Sequence, residues 1–141
     1  LCYALDIPLI AISTLKAMSF VVVKNKKSAI YCPMIDARRM EVFSALYDEN
    51  NKQVRGTQAD VVDENTYSEF LVNEIIFFGD GSLKCQEILN HKNAKFIEGI
   101  YPSAKNLGTL AKAKFENKDF EDVAYFEPYY LKDFVAGKKK A

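Results

Sequence analysis

The 141-residue chain has no tryptophan, one histidine, three cysteines, four prolines and no net charge, its 19 basic residues cancelling 19 acidic ones. Each shortage excludes something. A neutral chain exerts no long-range pull on a polyanion, so nucleic-acid binding by these residues alone is not favoured. Cys2, Cys32 and Cys85 are odd in number and widely spaced, and no pair sits at zinc-ligand spacing. They read as reduced thiols of a cytoplasmic protein. No apolar run approaches the roughly 18 residues that span a membrane. Residues 1–5 lack the basic segment and cleavage pattern of a signal peptide. No serine sits in a Gly-x-Ser-x-Gly elbow, and no Cys/His arrangement suggests a thiol nucleophile. What remains is ordinary: 49% hydrophobic and 27% charged residues, enough chain for one soluble domain with a core.

There is no initiator methionine. Residues 1–5 look like the last turn of a helix, stopped at Asp6-Ile7-Pro8 because a residue before proline is pushed out of helical geometry. The expectation is a C-terminal fragment of a longer protein. Residues 9–12 form a short apolar strand candidate. Ser13 or Thr14 can cap a helix to about Lys24, with Leu15, Met18 and Val22 on one face. A polar turn follows at residues 25–28.

Three strands are then expected, at 29–36, 41–47 and 53–62, joined as an antiparallel meander. The second carries apolar groups on both faces and should be covered on both sides. From there helix and strand alternate. A helix capped by Asp63 runs to about Val72 with Tyr67, Phe70 and Leu71. A continuous apolar run at 74–78 reads as a central parallel strand. A helix follows over 82–89 with Leu83, Ile88 and Leu89, then a shorter strand at 94–97. Pro102-Ser103 opens a helix to about Asn117, with Leu107, Leu110, Ala111 and Lys114 on one face. Residues 120–134 are aromatic and irregular, an extended arm, and residues 135–141 a basic tail. The order from Ala29 is β-β-β-α-β-α-β-α. That is an α/β, ribonuclease-H-like layout, also the subdomain of the actin-like and sugar-kinase superfamily. On this reading residues 1–28 are a linking remnant of a preceding lobe and residues 29–134 the domain.

Asp36 ends the first strand, where ribonuclease-H-like folds often hold a divalent metal. A metal site needs further hard oxygen ligands, and pairing with Arg38 or Arg39 is the plainer alternative. Those arginines could fork an anion or be tied to local carboxylates such as Glu41. Gly79-Asp80-Gly81 follows a buried strand and opens a helix, where backbone N–H groups can hold an anion. It is the nucleotide-site candidate, although it lacks Walker spacing and a lysine in the phosphate position, and a structural turn is the alternative. His91 lies in a polar turn with no partner and reads as exposed.

Several of these segments, taken in order, resemble the TsaB (YeaZ) family of tRNA threonylcarbamoyladenosine biosynthesis proteins. The resemblance rests on residues 4–15, on Asp36-Ala37-Arg38-Arg39-Met40-Glu41-Val42, on Gly79-Asp80-Gly81 and on Pro102-Ser103-Ala104. It ends on Pro128-Tyr129-Tyr130-Leu131-Lys132, which is similar to a closing Pro-x-Tyr-Leu-Arg with Lys132 in place of arginine. The family's N-terminal motifs are absent from these residues. The resemblance implies a non-catalytic scaffold of the bacterial complex that adds threonylcarbamoyl to the tRNA adenosine beside the anticodon. It implies binding to the catalytic subunit TsaD and the ATPase TsaE through the full-length protein, a possible homodimer, contact with tRNA only through the complex, and no cofactor. The alternative from the superfold is a nucleotide-dependent phosphotransferase or hydrolase, including an M22 peptidase-like activity, using Asp36 and Gly79-Asp80-Gly81. A third possibility is self-association through Tyr125, Phe126, Tyr129, Tyr130 and Phe134.

Overall fold

The computed structural model describes residues 1–25 and 28–132. Lys26 and Lys27 of the expected polar turn, Phe134 of the arm and the basic tail lie outside the described residues. A single turn of helix, α1 (Cys2–Leu5), ends at Asp6, which takes a left-handed φ of 51° just before Ile7-Pro8. Ser13 caps α2 (Thr14–Val22), its hydroxyl accepting the Lys16 N–H at 3.4 Å. A 3-10 turn, Val23–Asn25, finishes that element at the end of the β-branched run, as restricted side chains weaken the regular helix.

Five strands form one sheet: β1 (Ile30–Asp36), β2 (Glu41–Tyr47), β3 (Gln53–Val61), β4 (Ile75–Phe78) and β5 (Ala94–Ile97), in the order β3-β2-β1-β4-β5. β1, β2 and β3 are antiparallel neighbours, whereas β4 lies parallel to both β1 and β5. β1 therefore sits at the centre, with Met34 opposite Ser44 and Pro33 opposite Phe78. Pro33 cannot donate to a ladder, so this central strand lacks one donor.

Alternation along the strands builds two cores. Cys32, Met34, Val42, Leu46, Ile75 and Phe77 face a layer made by Val62, Tyr67, Leu71, Cys85 and Leu89. Tyr31, Ala45, Tyr47, Ile76 and Phe78 face α2 through Leu15, Met18 and Val22. Covering on both sides explains the near-continuous apolar content of β2 and β4.

Three expected elements differ. Residues 9–12 form no strand. Leu9 makes one antiparallel bridge to Glu121, whose N–H donates to the Leu9 carbonyl at 2.9 Å, so this segment is held by the arm rather than by the sheet. Residues 63–72 are a chain of turns instead of a regular helix. Asp63 caps them as expected, accepting the Asn65 N–H at 2.9 Å, but buried Tyr67 is drawn under the sheet. Residues 82–89 shrink to a 3-10 turn, Leu83–Cys85, and further turns. Eight residues give helix propagation little to gain over its nucleation, and Cys85 and Leu89 are placed by the core. The late helix does form, as a 3-10 turn at Ala104–Asn106 leading into α3 (Leu107–Glu116). Its half-buried face carries Leu107, Leu110, Ala111 and Lys114, and the Lys114 ammonium ties it to the Ala11 carbonyl at 3.2 Å and to Glu121 at 3.1 Å.

The edge strand β3 turns a charged pair inward. Arg55 and Asp60 are five residues apart, a spacing that puts side chains on opposite faces of a regular strand. The β2–β3 register shifts between Ser44/Gln58 and Leu46/Arg55, so β3 holds one extra residue there. That bulge flips the parity. The Arg55 guanidinium then reaches Asp60 at 2.5 Å and Ser44 Oγ at 2.6 Å, and lies over the Tyr67 ring at 5.0 Å. Tyr67 donates its hydroxyl to Asp60 at 3.0 Å. Burial pushes the Tyr67 phenol well above its ordinary range. Removing one partner of such a pair leaves an uncompensated buried charge. Arg55→Met is expected to lower unfolding free energy by about 3 kcal/mol, and Arg55→Met/Asp60→Leu to recover most of it. Urea unfolding of both variants checks this.

Candidate functional site at the head of the sheet

The segments marked out in the sequence converge where β1 ends. Gly79-Asp80-Gly81 leaves β4 and folds directly onto the last residues of β1. The Gly81 N–H donates to the Met34 carbonyl at 3.2 Å, and the Asp80 carboxylate accepts the Asp36 N–H at 3.2 Å. Gly79 has φ 107°, and a Cβ there would lie 2.1 Å from the Met34 oxygen. A Cβ on Gly81 would lie 3.0 Å from the Asp36 nitrogen. Close backbone approach is what these glycines permit.

Beyond Asp36 the chain reverses in the 37–41 loop. The Ala37 N–H donates to the Glu41 carbonyl, the Glu41 N–H to the Arg38 carbonyl, both at 3.1 Å, and the Val62 N–H to Met40 at 2.8 Å. Arg38 and Arg39 both take left-handed backbone, φ 70° and 49°. For residues with a Cβ this costs roughly 1–2 kcal/mol each. Asp36 steadies the turn by accepting the Arg38 N–H at 3.1 Å, a local bond typical of aspartate in turns.

The expected side-chain pairing of Asp36 with Arg38 or Arg39 is not what forms. Lys84, from the 3-10 turn after Gly81, places its ammonium on Asp36 and on the Glu41 carbonyl, the latter at 2.7 Å. Lys132, at the end of the arm, pairs with the Glu41 carboxylate. Geometry explains the substitution: left-handed backbone turns the arginine side chains outward, while Lys84 rises beside β1 on the turn that Gly79 and Gly81 bring close. The Lys84 bond holds the Asp36 carboxyl below its ordinary range. Pro128 and Tyr130 are exposed, while Leu131 is half-buried. Along the α2 face, Tyr129, Tyr130 and Leu131 line an open groove of about 690 Å³ with Ile35, Phe43 and Tyr47.

Other candidate chemistry lies apart from this site. His91 is exposed, its Nδ1 accepting the Asn93 N–H at 3.2 Å. Burial pushes the Cys32 thiol up to about 12 and raises that of Cys85, so neither supplies thiolate at neutral pH. Among the described residues no group of three His, Cys, Asp or Glu side chains could hold a metal ion, and no helix is long and apolar enough to cross a membrane. The donor set at Asp36 does not fit a metal–nucleotide: its carboxylate already holds an ammonium, and the glycine backbone is turned against β1. Lys84 escaped the sequence reading. Its only signal was its place three residues after Gly81, which means nothing until the turn is seen to fold over β1.

A model of the family described as "TsaD: tRNA N6-adenosine threonylcarbamoyltransferase" matches residues 1–140. The chain belongs to this family. No curated protein matches the chain. Among solved structures, an uncharacterized protein with similarity to peptidase YeaZ from Pseudomonas aeruginosa superposes with a TM-score of 0.69 at 18% identity, over 93% of this chain and 62% of that one. YeaZ from Pseudomonas aeruginosa superposes with a TM-score of 0.66, also at 18% identity, over 92% of this chain and 62% of that one. At such identity the superpositions speak for the fold. It is the actin-like α/β fold expected from the strand order, and together with the family match it makes this a YeaZ (TsaB)-like chain. The chain spans about 62% of the length of these structures.

Two outcomes follow for the head of this YeaZ-like sheet. Gly79→Ala combines a left-handed φ with a backbone collision, and is expected to destabilise by about 2–3 kcal/mol or more, read as a lowered thermal midpoint. Asp36 has a depressed folded pKa, so its contribution is present at neutral pH and disappears as pH falls through that value. The carboxylate is 47% exposed, which limits the contribution to below about 1 kcal/mol. Asp36→Asn should therefore cost little at pH 7 and flatten the loss of stability below pH 4, in urea titrations at several pH values.

Proposed function

We propose that this chain acts as a non-catalytic scaffold in the machinery that places threonylcarbamoyl on the tRNA adenosine beside the anticodon. In this reading it binds and supports TsaD, the subunit that carries out the transfer. The ATPase TsaE meets the assembled pair, a second copy of the chain is a possible further partner, and tRNA is reached only through the complex. Free cysteines fit a reducing, cytoplasmic setting.

The observation that carries the reading is the Lys84 ammonium on Asp36. The residue best placed for metal or phosphate chemistry in this superfold is neutralised by an internal cation. The glycines that could cradle a phosphate instead pack on β1. Family membership supplies the tRNA modification context, and the two features together favour a supporting role over a second transferase.

Co-purification of the protein with TsaD from the same organism tests this, alongside thermal melts with ATP and magnesium. Expected are a stable complex with TsaD and no shift of the melting midpoint with ATP–magnesium. Absence of the complex, with a nucleotide-dependent rise in midpoint, would replace the scaffold by a nucleotide-dependent phosphotransferase or hydrolase.

A further inference from the structure

Residues 122–132 run along the groove on the α2 face, yet the body of the protein bonds them only at their two ends. At the near end the Glu121 N–H donates to the Leu9 carbonyl at 2.9 Å, and the Lys114 ammonium meets the Glu121 carboxylate at 3.1 Å. At the far end Lys132 pairs with the Glu41 carboxylate. Between these anchors the bonds are local. The Tyr125 and Phe126 N–H groups donate to the Asp122 carbonyl at 3.1 and 2.8 Å, and the Ala124 N–H donates to the Asp122 carboxylate at 2.9 Å. Residues 127–131 make no hydrogen bond among the described residues. They line one wall of the groove, with Ile35, Phe43 and Tyr47 opposite.

We propose that residues 122–132 are a hinged strap, latched by the Lys132–Glu41 ion pair, whose release widens the groove beside it. The two anchors are unequal. The near one combines a backbone bond with a lysine that is 26% exposed and also reaches Asp119 and the Ala11 carbonyl. The chain leading into it is bonded too, the Asp119 N–H donating to the Lys114 carbonyl at 2.9 Å. The far anchor is one ion pair whose lysine is 50% exposed. An exposed pair shifts an equilibrium by up to about fivefold, so the far end releases first and the near end serves as hinge. Segments with few bonds to the core open at low free energy without unfolding the rest. The seat of the latch stays fixed. Glu41 accepts the Ala37 N–H at 3.1 Å and the Lys84 ammonium at 2.7 Å on its carbonyl, and donates its own N–H to Arg38 at 3.1 Å. Glu41 thereby belongs to both the β1–β2 turn and the strap, which ties the width of the groove to the head of the sheet.

The test measures opening of the strap directly. Chymotrypsin cleavage at Phe126, Tyr129 and Tyr130 tracks the population of the open form when closing is fast. Lys132→Met should speed that cleavage about threefold. Added salt at 1 M, which screens the pair, should do the same to the wild type and add little to the variant. Lys132→Arg, able to grip the Glu41 carboxylate at two atoms, should slow cleavage. Lys112→Met, which breaks the exposed Lys112–Glu116 pair on α3, should leave it unchanged. The chain has no tryptophan, so Leu131→Trp gives a single reporter on the strap. Its emission should shift to the red, with stronger acrylamide quenching, when Lys132→Met is added. Thermal midpoints should stay the same throughout. If Lys132→Met matches the wild type in cleavage and leaves the tryptophan signal unmoved, the latch is overturned. If cleavage rises but the midpoint falls in step, the arm belongs to the cooperative fold and the strap is overturned.

Discussion

The close seating of the Gly79–Gly81 turn on the end of β1 is the constraint from which the rest of the site follows. Without a Cβ on Gly79, the turn approaches the Met34 carbonyl and lets Gly81 donate to it. That contact places Asp80 over the Asp36 N–H and sets Lys84 within reach of the Asp36 carboxylate. Asp36 in turn holds the Arg38 N–H. A parallel β1–β4 pair, a glycine turn and an ion pair thus act as one unit that determines how the β1–β2 loop leaves the sheet.

A second device works at the opposite edge of the meander. β3 is an edge strand whose bulge rotates Arg55 onto the same face as Asp60. Inward-facing charge on an edge strand opposes pairing with another chain. Ser44 and Tyr67 add hydrogen bonds to the Asp60 carboxylate, while the buried Arg55 Nε is left without a partner among the described residues. The network lies beside Cys32, and burial pushes that thiol up even though Arg55, Ser44 and Tyr67 oppose the shift. The same polar contacts fix the β2–β3 register and draw Tyr67 inward, which is why residues 63–72 follow the sheet instead of a helical repeat.

Chemistry and exposure are therefore divided in this YeaZ-like chain. Groups that could act as nucleophile, metal ligand or base are buried, paired or isolated. Groups left at the surface are the Arg38 and Arg39 guanidiniums of the hairpin and the Tyr129 and Tyr130 phenols of the arm.

Local pattern was enough for much of the architecture. Alternation and turn residues marked β1, β2, β3 and β5 to within a residue or so, the apolar run marked β4, and capping serines marked α2 and α3, because each signal depends on near neighbours in the chain. Asp36, Arg38, Arg39, Glu41 and the glycine turn were also recognisable as a group through family resemblance. Their pairing was not. Lys84 lies 48 residues from Asp36 and Lys132 lies 91 from Glu41, and no local rule ranks a distant lysine above an adjacent arginine. The Arg55–Asp60 contact was hidden for a related reason: its parity depends on a bulge defined only against β2. Residues 63–72 and 82–89 carried helical periodicity, yet burial of Tyr67, Cys85 and Leu89 bent them into turns. Sequence order set which strands exist. Packing decided which charges meet, since that depends on two backbones coming closer than any side chain but glycine allows.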